Sequence, residues 1–244
     1  MKNPTDVVIA SAVRTPVGAF NGSLGSLPAS ELGRTVISAV LDRANVAPED
    51  VTEVIMGQIL TAGAGQNPAR QAAIGAGIPV ERTAMVINQL CGSGLRAVAL
   101  GFQSIRNGDA DVVIAGGQES MTQAPHCANL RNGQKLGSLE MIDSMLIDGL
   151  WDAFHGYHMG NTAENVAKQF NISREAQDAF AAASQQKAEA AQKADRFVAE
   201  ITPVVVKGRK ADVRVDTDEH PRHGTTVDTL SGLRPAFAKE GTVT

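Results

Sequence analysis

Residues 88–98, Asn-Gln-Leu-Cys-Gly-Ser-Gly-Leu-Arg-Ala-Val, decide how the first half of the chain folds. The run Thr83-Ala-Met-Val-Ile87 comes directly before them and is short and apolar, as in a buried strand. After them, large apolar residues recur at the spacing of one helix face: Leu95, Val98, Phe102 and Ile105. The pattern predicts that Cys91 lies at a strand-to-helix turn, at the N-terminus of the helix.

That position has chemical meaning for Cys91. The first N–H groups of a helix are unpaired and the helix dipole places partial positive charge there, which favours a thiolate. Gly92 and Gly94 carry no side chains, so a substrate carbonyl has room to approach the sulfur and the backbone amides. Cys91 is therefore a candidate nucleophile for acyl transfer. Free cysteines also occur as small buried hydrophobes, and the local spacing leaves both interpretations open.

Two other nucleophile patterns match this stretch less well. The papain-type signature Cys-Gly-Ser-Cys-aromatic fits for three residues and then fails at Gly94 and Leu95. A serine nucleophile elbow requires glycine two residues before and two after the serine. Cys91 occupies the first of those positions, so Ser93 does not qualify.

Composition limits the classes of protein to consider. The 244 residues are enough for one large domain or two small ones, and they are 43% hydrophobic with only 4% aromatic, which suits a closely packed α/β protein. The net charge of −4 gives no indication of a nucleic-acid or membrane surface, and no apolar run is long enough to span a bilayer. Two cysteines without a secretion signal predict a reducing, cytoplasmic environment.

The first 120 residues alternate between strand and helix patterns. Buried strands are predicted at residues 6–12, 54–57, 83–87 and 111–115. Helices are predicted from about 31 to 44 with Ser30 as N-cap, from Asn67-Pro68 to a glycine break at 75–77, and after Cys91. This order is typical of a parallel sheet with right-handed crossovers.

The pattern changes after Gly117, which indicates a second unit or a long insertion. Residues 119–160 show neither strand nor helix periodicity. Thr162 is expected to cap a short helix, and Ser173 to start a long alanine-rich helix that reaches about Arg196. A hairpin is predicted from residues 204–207 and 212–215.

Cofactor and metal motifs are incomplete. Gly63-Ala-Gly65 and Gly75-Ala-Gly77 do not continue into Gly-x-Gly-x-x-Gly, so a dinucleotide site is not predicted. His155-x-x-His158 and His220-x-x-His223 have the spacing of paired ligands, but no acidic residue or cysteine follows at ligand spacing. We therefore expect neither a cofactor nor a metal site.

Four longer motifs together resemble the thiolase family, and most closely its short-chain members that transfer acetyl groups. They are NQLCGSG at 88–94, AGGQESM at 115–121, YHMGNTAENVA at 157–167 and LRPAFAKEGTVT at 233–244. They are spread over the whole chain in the family's order, and jointly they are highly specific. The resemblance favours the catalytic interpretation of Cys91.

The resemblance implies an α/β fold, with a layered α-β-α core of two similar domains and a loop domain inserted into the first. Residues 1–120 would be the N-terminal core domain that carries the nucleophile. Residues 121–244 would be the loop domain, which binds coenzyme A and makes the contacts of a homotetramer. The C-terminal core domain would be absent from this chain.

The resemblance also implies a reaction, the reversible Claisen condensation of two acetyl-CoA molecules to acetoacetyl-CoA and CoA. Cys91 would take the acetyl group as a thioester, and the α-carbon of a second acetyl-CoA would then attack it. The coenzyme A thioesters are substrates, so no separate cofactor is implied. The amide of Cys91 is placed to help stabilise an oxyanion.

Five further residues match family positions that bind the substrate. Leu150, His158 and Met159 match residues that line the pantetheine and acyl pocket, and Arg222 and Thr229 match the region that holds the adenosine end. Each also has a simpler interpretation. His158 could be an ordinary hydrogen-bonded histidine, Met159 a core filler and Arg222 a solvated charge.

One departure from the family is large. Thiolases also use a histidine in a Gly-His-Pro motif and a second cysteine in a Cys-x-Gly-Gly-Gly motif, and neither motif occurs here. Cys127 is no substitute, because Ala128 and Asn129 follow it; it lies in the stretch that serves the family as a tetramerisation loop. We therefore expect turnover to require the missing C-terminal portion.

Three alternatives remain beside the acetyl-transferring thiolase. The first is a thiolase for 3-ketoacyl-CoA substrates of broader chain length. The second is a β-ketoacyl synthase relative, against which the segment at 157–167 argues. The third is a CoA-binding fragment without turnover of its own.

Overall fold

The computed structural model describes residues 6–244, which divide into two compact units. The first unit runs to Met145 and includes Glu200–Glu219, and the second comprises Leu146–Ala199 and His220–Thr244. The helices of the described residues are α1 (Ala29–Ala44), α2 (Pro68–Gly75), α3 (Ser93–Asn107), α4 (Met159–Gln169), α5 (Arg174–Lys193) and α6 (Val227–Ser231), with a π-helix at Met145–Leu150. The strands are β1 (Glu53–Gly57), β2 (Thr83–Ile87), β3 (Val113–Gly117), β4 (His126–Cys127), β5 (Ile142–Asp143), β6 (Val204–Val206) and β7 (Val213–Val215).

The first unit is built on a parallel sheet with β1 at its centre. Glu53 of β1 pairs with Thr83 of β2 on one side and with Val113 of β3 on the other, so the strand order is β2-β1-β3. Val54 and Met56 of β1 are fully buried against α1 and α2. Such burial contributes about 2 kcal/mol per side chain, which explains why β1 is the central strand.

Helix α3 packs on the sheet with its small residues. Ser93, Ala97 and Gly101 are its buried positions, and a Cβ on Gly101 would lie 3.0 Å from a methyl group of Val113. The large apolar residues of α3 remain exposed, including Leu95 at 79% and Phe102 at 52%. The helix predicted after Cys91 is confirmed, and the face of α3 that carries its large apolar side chains is open in this chain.

The prediction of a first strand at residues 6–12 is wrong. The segment has no strand pairing, and Val8 and Ile9 are 63% and 79% exposed. A strand requires a hydrogen-bonded neighbour. An apolar groove of about 760 Å³ lies alongside, lined by residues 7–15 and by 111–119 with parts of α1 and α3.

The other predicted strands and helices of the first unit are present, with small shifts. The strand predicted at residues 111–115 occupies Val113–Gly117, and β1 and β2 lie where expected. Asn67 caps α2 by accepting a hydrogen bond from the Arg70 amide at 3.1 Å. Ser30 is not the N-cap of α1; that helix starts two residues earlier than predicted, at Ala29, after Pro28, which has no capping side chain.

An ion pair joins the start of the first unit to the segment that follows the hairpin of β6 and β7. The Arg14 guanidinium donates to both carboxylate oxygens of Asp218, at 2.7 and 2.9 Å, and also to Glu200 at 2.6 Å. These bonds hold the pKa of Asp218 below its usual range and raise that of Arg14. The hairpin itself is confirmed, with Val204 paired to Val215.

The second unit is helical. Ser173 caps α5 as predicted, accepting from the Ala176 amide at 3.2 Å. Thr162 does not cap α4; the N-cap is His158, so this helix begins before Thr162. Among the described residues, no helix is both long and apolar enough to cross a bilayer. The division into domains at residue 120 stays a prediction. The boundaries between the two compact units fall at other positions in the chain, the first of them after Met145.

Candidate active site

The predicted strand-to-helix turn at Cys91 is confirmed. Strand β2 ends at Ile87, helix α3 starts at Ser93, and Cys91 is exposed between them. Leu90 has a left-handed backbone with φ of 50°. The Asn88 side chain supports this conformation by accepting a hydrogen bond from the Leu90 amide at 2.9 Å. A non-glycine residue held in this region stores about 1 kcal/mol of strain, so the turn is a specifically maintained feature.

Ser93 fastens the turn from inside. Its hydroxyl donates to the Leu90 carbonyl at 2.6 Å and accepts from the Gln89 amide at 2.8 Å, and the residue is only 4% exposed. Both hydrogen-bonding directions of the hydroxyl are therefore used by the backbone. Ser93 is a structural residue, which agrees with its exclusion as a nucleophile.

Gly57 lets the start of α3 approach the sheet closely, and Gly117 and Gly94 pack against each other beside it. A Cβ on Gly57 of β1 would lie 2.5 Å from the Ser93 Cβ and 2.6 Å from its carbonyl carbon. A Cβ on Gly117 of β3 would lie 3.4 Å from the Gly94 Cα. The turn therefore rests directly on the carboxyl ends of β1 and β3, the edge where ligands bind in open parallel sheets.

Glu119 closes this edge of the sheet. Its carboxylate accepts from the Ile59 amide at 2.8 Å and from the Leu60 amide at 3.4 Å, tying the residues after β3 to those after β1. Burial raises the pKa of Glu119 against the opposing effect of these hydrogen bonds. Glu119 thus fixes the loop beyond β1.

Cys127 lies in a different setting from Cys91. It is half-buried in the two-residue strand β4, and its Sγ is 4.0 Å from the Pro125 carbonyl. Its neighbour His126 faces Asp143 of β5, with Nε2 and a carboxylate oxygen 3.9 Å apart. Cys127 is part of a short hairpin and not of a helix N-terminus.

In the second unit, His158 is fixed at the start of α4. Its Nδ1 accepts from the Gly160 amide at 2.9 Å, so the neutral ring carries its proton on Nε2. His158 also pairs with Trp151 in an antiparallel bridge. The ring of Phe237 stacks on it, with centroids 5.0 Å apart and planes at 21°. The imidazole is therefore held in one orientation.

The other predicted pocket residues lie on either side of this bridge. Leu150 is the last residue of the π-helix, directly before Trp151, and is half-buried. Met159 is the first residue of α4 and is 39% exposed. The Trp151–His158 bridge brings the two ends of the loop 151–158 together, and with them Leu150 and Met159.

Arg222 and Thr229 belong to a separate segment of the second unit. The Arg222 amide donates to the Gln185 side chain of α5 at 2.8 Å, and its own side chain is exposed. The Thr229 hydroxyl forms a capping box with Thr226 at the start of α6. The structure therefore connects both to helices α5 and α6, while Cys91 belongs to the first unit.

Sequence reasoning did not identify Phe237 or Trp151 as site residues. Phe237 lies within the quoted motif at 233–244, but only the three-dimensional structure shows that it stacks on His158. Among residues 6–244, no group of three or more His, Cys, Asp or Glu side chains is arranged to bind a metal ion.

Comparison with known proteins adds to this geometry. Acetyl-CoA acetyltransferase of Shinella zoogloeoides is 65% identical over 244 residues, covering 100% of this chain and 62% of that protein. The cytosolic acetyl-CoA acetyltransferase of Rattus norvegicus is 56% identical over 238 residues, covering 98% of this chain and 60% of its own length. This chain thus spans about 62% of the length of the curated relatives that it matches.

A solved structure agrees with the fold. The crystal structure of Bacillus anthracis acetyl-CoA acetyltransferase superposes with a TM-score of 0.94 at 39% identity, covering 97% of this chain and 60% of that one. This confirms an α/β thiolase fold, of which the chain contains a part. The family described as "Thiolase, N-terminal domain" matches residues 7–244, and the chain therefore belongs to the thiolase family.

Proposed function

We propose that this chain supplies the nucleophile and the coenzyme A site of an acetyl-CoA acetyltransferase. In the first half-reaction, the Cys91 sulfur attacks the thioester carbonyl of acetyl-CoA, and CoA leaves as its thiol. In the second, a base of the C-terminal segment removes a proton from the α-carbon of another acetyl-CoA, and that carbon attacks the acetyl-Cys91 carbonyl. That step forms the new carbon–carbon bond, releases acetoacetyl-CoA and returns the Cys91 thiolate.

The observation that carries the proposal is the exposed Cys91 in a braced turn. It lies at a helix N-terminus on the carboxyl edge of a parallel sheet, where the dipole of α3 favours negative charge. The Cys91 amide is the proposed oxyanion donor from this chain. The family assignment supports the same role for this cysteine.

We assign substrate binding to the second unit. Leu150, His158 and Met159 form the proposed pantetheine and acyl pocket, in which His158 presents an Nε2–H as donor. Arg222 and Thr229 are proposed for the adenosine end. The exposed guanidinium of Arg222 suits a phosphate group.

Turnover requires a C-terminal segment in this proposal. No residue here matches the family's Gly-His-Pro histidine or Cys-x-Gly-Gly-Gly cysteine. The groove between residues 7–15 and β3 has the unpaired strand edge and the apolar walls that one further strand would cover. The exposed apolar face of α3 requires a second covering surface.

We also propose a homotetramer in the cytoplasm. The loop between β4 and β5 carries four exposed apolar side chains, which suit contacts between subunits: Leu130, Leu136, Leu139 and Met141. Leu136 is 93% exposed, an unusual state for a leucine in an isolated chain. The rat relative is named cytosolic, which supports the location.

The test joins this chain to the C-terminal portion of the Shinella zoogloeoides relative, giving a product that we call the joined protein. Incubation with acetyl-CoA should release CoA and leave an acetyl group on the peptide that contains Cys91. Cys91→Ala should abolish both, and Cys127→Ala should change neither. An acetyl group on Cys127, or turnover by Cys91→Ala, would contradict the assignment of the nucleophile.

A second measurement tests the need for the C-terminal segment. Residues 1–244 alone should not cleave acetoacetyl-CoA with CoA, whereas the joined protein should. Full turnover by soluble, monomeric 1–244 would overturn this part of the proposal. Binding of CoA by the joined protein without any turnover would instead support the non-enzymatic alternative.

A further inference from the structure

The loop of residues 236–243, here called the strap, lies along one face of α4. It is closed by a hydrogen bond from the Ala236 amide to the Val243 carbonyl at 2.9 Å and by a turn from Gly241 to Ala238 at 3.0 Å. Its Phe237 ring stacks on His158. The strap is therefore the element that covers one ring face of the proposed pocket histidine.

Glu164 of α4 is the main polar attachment of the strap. Its carboxylate accepts from the Thr242 amide at 2.9 and 3.0 Å and from the Val243 amide at 2.8 Å. The Thr242 hydroxyl donates to it as well, at 3.3 Å. These bonds hold the pKa of Glu164 below its usual range, with the Val243 amide as the largest cause. One ionised side chain thus binds two consecutive backbone amides, a strong arrangement.

Two more residues of α4 receive the strap on the same face. The Asn161 side chain donates to the Phe237 carbonyl at 3.0 Å. Gly160 lies under the Phe237 ring, and a Cβ at that position would overlap the ring carbons. Because residues three and four apart share one helix face, Gly160, Asn161 and Glu164 form a continuous seat for the strap.

We propose that Glu164 is a positioning residue for His158, acting through the strap. Its carboxylate sets the position of the strap, the strap sets the Phe237 ring, and the ring fixes the plane of the imidazole. Together with the bond from the Gly160 amide to Nδ1, this directs the Nε2–H of His158 into the pocket in a single orientation. The inference rests on the proposed role of His158 in the acyl pocket.

The chemical consequence is that the Nε2–H donor of His158 has little rotational freedom. A hydrogen-bond donor assists acyl transfer only when it already points to where charge develops, and a displacement of about 1 Å costs up to a hundredfold in rate. Glu164 need not touch substrate to affect the rate. It acts by keeping the donor in place during turnover.

The experiment measures kinetics and ring state in the joined protein. Glu164→Gln removes the charge while keeping the shape, and Phe237→Leu removes the stacked ring. Each should lower kcat for acetoacetyl-CoA thiolysis about tenfold, with the KM for CoA unchanged. The double variant should also lose only about tenfold, because both changes break the same chain of contacts. Proton NMR of the His158 ring should show the ring-current shift of the stacked Phe237 in the parent and a reduced shift in Glu164→Gln.

A matched control is available on the neighbouring helix. Glu175 of α5 is also a carboxylate whose pKa is lowered by local hydrogen bonds, but its causes lie within its own helix start. Glu175→Gln should leave kcat and the His158 spectrum unchanged. The strap is also held by Gln177 of α5, which donates to the Thr242 hydroxyl at 2.9 Å. If Glu164→Gln does not fold, Asn161→Ala removes the second attachment of the strap to α4 and should give the same spectrum and the same loss of kcat.

Three results would overturn the proposal. One is a double variant whose loss is the product of the two single losses. Another is a lowered thermal stability of Glu164→Gln with unchanged kcat and an unchanged His158 spectrum. The third is an equal loss in Glu175→Gln. Failure of Cys91 acetylation in the parent, by contrast, counts against the proposed function and not against this assignment.

Discussion

The turn at Cys91 and the pocket at His158 are held in place by different kinds of interaction. The turn depends on backbone conformation and on the absence of a side chain at Gly57. In our proposal the orientation of His158 depends on side chains, namely the stacked Phe237 ring and the ionised carboxylate of Glu164 on α4, which holds the strap. The geometry around Cys91 should therefore be disturbed by substitutions that add side-chain volume. The proposed pocket at His158 should be disturbed by substitutions that remove a charge.

Gly57→Ala should cause the largest effect on the turn. The new methyl group would meet the Ser93 backbone, which cannot move without shifting α3, and overpacking of this kind costs about 3 kcal/mol. Urea unfolding of the joined protein measures the stability, and the rate of Cys91 alkylation measures the geometry of the turn.

The matched control is Gly116→Ala on β3. A Cβ there meets nothing closer than the Met56 sulfur at 3.9 Å, so this variant should resemble the parent in both measurements. Equal behaviour of the two alanine variants would show that the close approach of α3 to β1 does not position the turn.

Asp218→Ala tests whether the first unit also depends on charge. It removes two hydrogen bonds from Arg14 and one from the Val17 amide, and should cost about 2 kcal/mol at neutral pH. Because the folded pKa of Asp218 is lowered, its contribution is complete above the unfolded value. It is lost as the pH falls through the folded value, which lies below the usual range of an aspartate.

Asp218→Asn separates charge from shape. The acid limb of its stability curve, measured by urea unfolding at several pH values, should be flatter than that of the parent. If the stability curve of Asp218→Asn were parallel to that of the parent and only displaced, the ion pair of Arg14 with Asp218 would not be the cause of the pH dependence.

Acid should disturb the pocket through Glu164 in a way that the only tryptophan, Trp151, can report. The pKa of Glu164 is lowered, so the strap contacts persist above the unfolded value and are lost as the pH falls through the folded value, which lies below the usual range of a glutamate. Trp151 pairs with His158, and its fluorescence should change over that range. The change in fluorescence should be missing in Glu164→Gln and retained in Glu175→Gln. An identical titration in all three proteins would show that the charge of Glu164 does not hold the surroundings of His158 in place.

Met159→Ala is expected to have the smallest effect. In the proposed acyl pocket a flexible thioether beside His158 would limit the space for the acyl chain, so its removal should raise the relative use of longer or branched acyl-CoA substrates by about tenfold. Val166→Ala, an equally exposed position on α4, is the control. An unchanged ratio of kcat/KM values in Met159→Ala would place the pocket wall elsewhere.

Local features of the sequence predicted much of this structure. The strand before Cys91, the helix after it and the helix starts at Asn67 and Ser173 each depend on a few adjacent residues, and all are present. The predicted strand at residues 6–12 failed for a non-local reason. An apolar run becomes a strand only when a neighbour is available, and the segment faces a groove.

The site shows the same division between local and distant information. The position of Cys91 follows from its own neighbours, but the need for Gly57 follows from the packing of α3 on a strand far away in sequence. The contact of Phe237 with His158 has no local signal either. Thr162 was expected to cap α4 on residue type alone, whereas the helix starts at Met159 and its N-cap is His158, which also bridges to Trp151.

The unpaired edge of β3 also has a consequence for synthesis on the ribosome. Strands β1, β2 and β3 can pair as soon as residue 117 has emerged, whereas the segment at 7–15 has no neighbour yet. Pairing between strands that are distant in sequence is slow. Until this pairing occurs, Val8 and Ile9 remain exposed beside an open strand edge. Exposed apolar residues at such an edge favour aggregation with other nascent chains. The yield of folded protein should then depend on the rate of translation and on chaperones that bind the chain between the emergence of residue 117 and the pairing of the segment at 7–15.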